Sequence, residues 1–134
     1  MKLIIYSDGG ARGNPGPAGI GATLKNEKGD LVATVSEYIG ETTNNIAEYK
    51  AIIAAIEKAK ELKATELECF LDSELVVKQL NKEYKVKNKG LAPLYIKIYN
   101  LSHSFKKISY THVRREFNKE ADALANEAMD KGTA

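Results

Sequence analysis

A chain of 134 residues with 43% hydrophobic and 28% charged residues has the size and balance of one globular unit, and a net charge of +2 excludes a uniformly polybasic or polyacidic protein. One cysteine, Cys69, excludes an intramolecular disulfide; two histidines, His103 and His112, are too few for a usual zinc site; and no apolar run approaches the ~20 residues that span a bilayer. The apolar run after Lys2 is cut short at Ser7-Asp8, so no signal peptide is expected. The expectation is a single domain over residues 1–134, monomeric, cytoplasmic and without a membrane partner.

In chain order, residues 2–7 read as a mostly apolar, central strand. Asp8 then opens a predicted loop at 9–17, which holds four of the ten glycines and two of the three prolines. Residues 19–25 and 31–39 read as a hairpin. Residues 44–62 read as a helix capped by Thr42 or Thr43, with Ile46, Ile52, Ile53, Ile56 and Ala59 on its buried stripe. A fourth strand at 66–71 runs into Asp72. A short helix at 73–80, a basic loop at 85–90 and a helix at 91–105 follow. A fifth strand at 107–113 and a last helix at 118–130 complete the order βββαβααβα, an α/β fold.

Four acids stand where these elements begin or end: Asp8, Glu48, Asp72 and Asp122. Glu48 lies four and eight residues before Ile52 and Ile56 and shares their stripe; Asp122 falls in phase with Ala125 and Met129. An inward-facing acid is costly unless it is paired or holds a metal. Asp8 and Asp72 end strands that can be sheet neighbours, where ligand sites collect at carboxyl ends. Converged carboxylates repel unless a cation sits among them, and magnesium is the expected one because it is a hard ion that takes oxygen ligands. That points to phosphate chemistry.

Charge is unevenly spread. Residues 78–107 carry eight lysines and one acid, a local +7, leaving −5 for the rest. The segment reads either as a phosphate-binding surface or as a solvated, lysine-rich helix and loop. A dinucleotide fingerprint, a phosphate loop and a nucleophile elbow are all absent: Gly19-Ile20-Gly21 lacks a third glycine, and neither Gly-Lys-Ser/Thr nor Gly-x-Ser-x-Gly occurs.

Over nearly its whole length the chain resembles a type 1 ribonuclease H. The resemblance is carried by Tyr6-Ser7-Asp8-Gly9-Gly10 with Gly13-Asn14-Pro15-Gly16-Pro17-Ala18-Gly19, by Thr42-Thr43-Asn44-Asn45-Ile46-Ala47-Glu48, by Asp72-Ser73, and by Asn118-x-x-x-Asp122. It implies the ribonuclease H-like fold, a mixed five-stranded sheet flanked by helices, in a short form without a hybrid-binding domain or basic protrusion. It also implies an endonuclease that cuts the RNA strand of an RNA–DNA hybrid to leave 3′-hydroxyl and 5′-phosphate ends, with double-stranded RNA left open as a second substrate. Two magnesium ions, with manganese as the alternative, are implied: Asp8 on both, Glu48 and Asp72 on one, Asp122 on the other. Gly9 and Gly10 would let the backbone approach the substrate. Asn14, Asn44 and Asn45 would meet sugar and base edges, and Thr43 a DNA phosphate.

Three positions depart from the family's pattern. Glu74 stands where many relatives have a substrate-contacting Gln. The protrusion is reduced to residues 85–90, leaving Lys85, Lys87 and Lys89 to meet the hybrid. Many members carry a His in a long loop before the last helix; here residues 113–117 are short, His112 is still on the strand, and Arg115 is the basic group expected to serve the site.

Overall fold

The computed structural model describes residues 1–134. Strands β1 (Lys2–Ala11), β2 (Gly16–Lys25), β3 (Leu31–Thr42), β4 (Glu66–Leu71) and β5 (Lys107–His112) form one sheet in the order β3-β2-β1-β4-β5. The pairs β1–β2 and β2–β3 are antiparallel; β1–β4 and β4–β5 are parallel. Helices α1 (Asn44–Glu61), α2 (Glu74–Leu80), α3 (Ala92–Ser102) and α4 (Lys119–Gly132) complete the predicted βββαβααβα order.

The expected glycine-rich loop is mostly strand. β1 runs on through Asp8, Gly9 and Gly10, which pair with Gly21, Ile20 and Gly19 of β2. Asp8 therefore lies inside a strand and does not open a loop. Gly9 and Gly21 serve close packing. A Cβ on Gly9 would overlap the carbonyl of Ala47 in α1, and one on Gly21 would overlap the carbonyl of Ala121 in α4. Side chains alternate along a strand. Gly9 and the Asp8–Gly21 row thus face opposite ways, so α1 and α4 cover opposite faces of the sheet.

The core forms where α1 lies on β1. Leu3 and Ile5 pack with Tyr49, Ile52 and Ile56, all fully buried. Each large apolar side chain buried this way contributes ~1.5–3 kcal/mol. Ile46, expected on the stripe, is only partly buried, while Ala47, Ala51 and Ala55 join it. Tyr49 donates its hydroxyl to buried Gln79 at 2.6 Å, tying α1 to α2. Thr43 settles the choice of cap, its side chain accepting from the Ile46 amide at 3.3 Å. Strand β3 runs three residues beyond expectation, α3 stops at Ser102, and a 3₁₀ turn, Arg115–Phe117, occupies the predicted loop before α4. No helix is long and apolar enough to cross a membrane.

Candidate active site

The parallel pairing of β1 with β4 ends at Ser7–Leu71, and that of β4 with β5 at Leu71–His112. Asp8 and Asp72 are the next residues, side by side at the carboxyl ends of the parallel strands. There β1 continues without a β4 neighbour, and the sheet opens. Gly9 lets the first turns of α1 lie against β1, which brings Glu48 to this opening from one face. Gly21 lets α4 approach from the other face and brings Asp122. Asp8, Glu48, Asp72 and Asp122 together line one cleft of about 580 Å³, with Gly9, Gly10, Arg12, Asn44, Ser73, Arg115 and Asn126 among its walls.

The electrostatics show what this convergence costs. Burial, the neighbouring Asp72 and a hydrogen bond with Asp122 push the Asp8 carboxyl up to about 8. Burial raises Glu48 to about 7, even though a hydrogen bond from Ser73 and the charge of Arg115 pull the other way. Both acids are thus held partly protonated near neutral pH because anions here lack compensation. The side chains are not drawn into a closed cage; no three His, Cys, Asp or Glu groups converge as a complete set of metal ligands. Four carboxylates around an open, polar cleft are nonetheless the donor set of a hard divalent cation that keeps some of its water. The residues fit such an ion.

The other predicted residues divide by location. Arg115 lines the cleft and forms no ion pair: Glu116 is held by Arg114 at 3.1 Å and Glu120 by Lys25 at 2.9 Å. His112 ends β5 and faces Glu74, with Nδ1 4.0 Å from Oε2. Glu74 also pairs with Lys78 at 3.3 Å and is outside the cleft wall. Gly9 reaches the cleft with its backbone alone, since its Cα faces α1. Only Gly10 presents an open side, where an added Cβ would meet nothing nearer than Asn44 Oδ1 at 3.9 Å. Asn14 and Asn44 have already used their amide oxygens, Asn14 accepting from the Asn44 amide at 3.1 Å and Asn44 from the Ala11 amide at 2.7 Å. Their NH₂ groups remain as donors. Asn45 is half-buried beside them in the first turn of α1.

The lysine-rich segment does not act as one patch. Lys78 and Lys97 are paired with Glu74 and Glu57, and Lys82 lies over the Tyr99 ring. Lys107 starts β5, at the end of the sheet away from Asp8. Lys85, Lys87 and Lys89 are exposed and without ion pairs, in the segment between α2 and α3. That segment comes back to the start of α1, where Gly90 faces Ile46.

Two residues to which sequence alone assigns no role belong to the site. Arg12 enters the cleft wall while pairing with Asp130 at 2.7 Å and bonding Asn126. Asn118, only 1% exposed, donates from Nδ2 to the Ser7 carbonyl at 2.9 Å and to Asp72 Oδ2 at 3.2 Å. A helix-opening Asn ordinarily reads as a cap. Nothing local shows that this one turns inward.

Comparison with known proteins agrees with this fold. The family described as reverse transcriptase-like matches residues 6–128. The bifunctional protein Rv2228c of Mycobacterium tuberculosis is 45% identical over 131 residues, 97% of this chain, and the chain spans 36% of that protein's length. Ribonuclease HI of Halobacterium salinarum is 44% identical over 129 residues, 96% of this chain and 65% of the relative. A ribonuclease H of Clostridium botulinum is 34% identical, with 97% of each chain covered. Among solved structures, RNase H1 of Halobacterium salinarum superposes with a TM-score of 0.95 at 42% identity, covering 98% of this chain and 99% of that one. LC11-RNase H1, solved in complex with an RNA/DNA hybrid, superposes with a TM-score of 0.94 at 45% identity, covering 98% and 99%. With the sheet order, the helices on both faces and the match along nearly the full length all in agreement, the chain belongs to the ribonuclease HI family.

Proposed function

We propose that this chain is a metal-dependent endoribonuclease acting on RNA–DNA hybrids, folded as one unit over residues 1–134 and working as a monomer in the cytoplasm. The observation that carries the reading is the meeting of Asp8, Glu48, Asp72 and Asp122 in one cleft. A protein that only gripped nucleic acid would gain nothing from four acids facing phosphates. Those four carboxylates would hold the cations, two magnesium ions or manganese in their place. When bound, the ions supply positive charge to the scissile phosphate and lower the pKa of the attacking water. The products would be a 3′-hydroxyl and a 5′-phosphate.

The chain's own residues do the remaining work. Gly10 leaves the cleft floor open to a close backbone approach. The NH₂ groups of Asn14 and Asn44, linked through the Asn44 amide, and that of Asn45 in the first turn of α1 are assigned to the 2′-hydroxyls and base edges that tell RNA from DNA. Thr43 caps α1 with its oxygen and keeps its hydroxyl proton free for a phosphate at the positive end of the helix. Cleavage of labelled RNA–DNA, RNA–RNA, DNA–DNA and single strands, with magnesium and with EDTA, tests the reading. Magnesium-dependent cutting of the RNA in RNA–DNA is expected. Equal cutting of DNA–DNA, or no hybrid cleavage, overturns it; the RNA–RNA arm decides whether that duplex is a second substrate.

Arg115 is assigned to the phosphate. Its guanidinium stays protonated, so it cannot act as a general acid, but its fork can hold a phosphate oxygen as charge develops. Removing one such donor typically costs ~10²-fold in kcat. Arg115→Ala should therefore lower kcat by about that factor with KM changed only a few-fold, while His112→Ala, outside the cleft wall, leaves kcat within about two-fold. Steady-state kinetics on one short hybrid would contradict the assignment if His112→Ala were the damaging change.

Lys85, Lys87 and Lys89 are assigned to the hybrid because their segment returns to the start of α1 at Gly90 and they are exposed without ion pairs. Replacing all three with Ala should weaken hybrid binding and reduce the slope of log K against log salt by up to about three phosphate contacts. An unchanged slope would place these lysines in solvent and leave the hybrid's path elsewhere.

A further inference from the structure

Asn118 is a poor choice if stability were its only purpose. It opens α4 with φ −122° and ψ 27°, yet its side chain makes no cap hydrogen bond to that helix. Its Oδ1 is buried without a partner, one of only two such side-chain atoms in the protein. Both costs could be avoided by turning the side chain toward the helix, as Asn usually does at this position. The orientation of the amide is fixed by its surroundings. Both neighbours, the Ser7 carbonyl and Asp72 Oδ2, are acceptors, so Nδ2 must face them.

Those two bonds join the three elements that carry Asp8, Asp72 and Asp122. Ser7 is the residue before Asp8 on β1. Asp72 follows β4. The Asn118 carbonyl accepts the Asp122 amide at 3.1 Å, so the same residue also begins the turn that presents Asp122. We propose that Asn118 is a positioning residue, whose side-chain amide sets the Asp72 carboxylate relative to Asp8 and Asp122 before any cation arrives. This deepens the nuclease reading and rests on it. Mutually repelling carboxylates would otherwise splay apart, and a cation would have to gather them at the expense of its affinity.

The test compares Asn118→Ala, Asn118→Ser and Ser36→Ala with wild type. Serine can cap α4 through its hydroxyl but is too short to reach Asp72, so it separates helix stability from positioning. Ser36→Ala is the matched control: Ser36 also ties a strand to α4, through the Leu124 carbonyl at 2.7 Å, without touching a carboxylate. Three quantities are measured: magnesium affinity of the substrate-free protein by calorimetry, the midpoint of thermal unfolding, and kcat and KM on a short hybrid. Asn118→Ser should keep its midpoint close to wild type while losing ~10-fold or more in magnesium affinity and in kcat, with KM within about three-fold. Ser36→Ala should show normal magnesium affinity. Wild-type magnesium affinity in Asn118→Ser would overturn the proposal and leave Asn118 a purely structural residue, whether or not Asn118→Ala folds. The calorimetric arm needs no cleavage, so it reads positioning even if the hybrid is not the substrate.

Discussion

Replacing Asp8 with asparagine is expected to lower hybrid cleavage by ~10³-fold or more and, at the same time, to stabilise the protein in the absence of metal. Both effects have one cause. Asp8 stands among three other acids, and in the metal-free protein its charge is opposed by burial and by Asp72, Asp122 and Glu48. Its carboxyl is raised to about 8 in the folded chain, against ~3.9 when unfolded. Between those values the folded state binds the extra proton, so stability falls as pH rises from about 4 to about 8 and levels off above. Glu48, raised to about 7, adds to the slope in the same direction. Asparagine removes the charge with little change of volume. A gain of ~1–3 kcal/mol at neutral or higher pH, and a flatter pH dependence, should follow. Thermal melts of both proteins in EDTA between pH 4 and 9 would check this. Equal midpoints throughout would mean that Asp8 is not under the strain described.

Gly9→Ala should be strongly damaging for the addition of a single methyl group. The added carbon would meet the Ala47 carbonyl and, at 2.7 Å, the Glu48 amide, both backbone groups of a packed helix that cannot rotate away. The helix must move, or β1 must bend. Overpacking of this kind costs ~1–3 kcal/mol, and a displacement of about 1 Å at a catalytic group can cost ~10²-fold in rate. Because the clash falls at Glu48 itself, stability and cleavage should fall together. Gly10→Ala is the comparison: its nearest neighbour would be Asn44 Oδ1 at 3.9 Å, an ordinary contact, so its melting midpoint should change little. Equal destabilisation by the two variants would contradict the packing described for α1.

The two glycines also show where the sequence misleads. Gly9 and Gly10, beside Gly13, Asn14 and Pro15, carry the composition of a loop, and locally nothing distinguishes the two cases. Strand pairing with β2 and the contact with α1 decide it, and both come from residues far along the chain. The order of elements was legible because it rests on local periodicity and turn residues, as in the alternation of 66–71 and the stripe through Ile52 and Ile56. The four acids are legible for a related reason: Asp72 directly follows the alternating strand 66–71, and Glu48 and Asp122 lie in phase with the apolar stripes of their helices, whereas Asp8, read as the opening of a loop, lies inside β1. Lysines 78–107 illustrate the opposite. Counted along the chain they form one basic segment, but Glu57 and Glu74 neutralise two of them in space, and Lys107 belongs to the far end of the sheet. Asn118 was visible as part of a motif, yet its inward turn depends on Ser7 and Asp72, 111 and 46 residues away.

The most direct measurement follows the RNA strand of a 5′-labelled hybrid with wild-type protein and with Asp8→Asn, in magnesium and in EDTA, alongside hybrid binding by each. If the four carboxylates hold the catalytic cations, the wild type cuts in magnesium alone, and Asp8→Asn binds the hybrid within a few-fold of wild type without cutting it. Cleavage that persists in EDTA, or that survives the loss of Asp8, would contradict this.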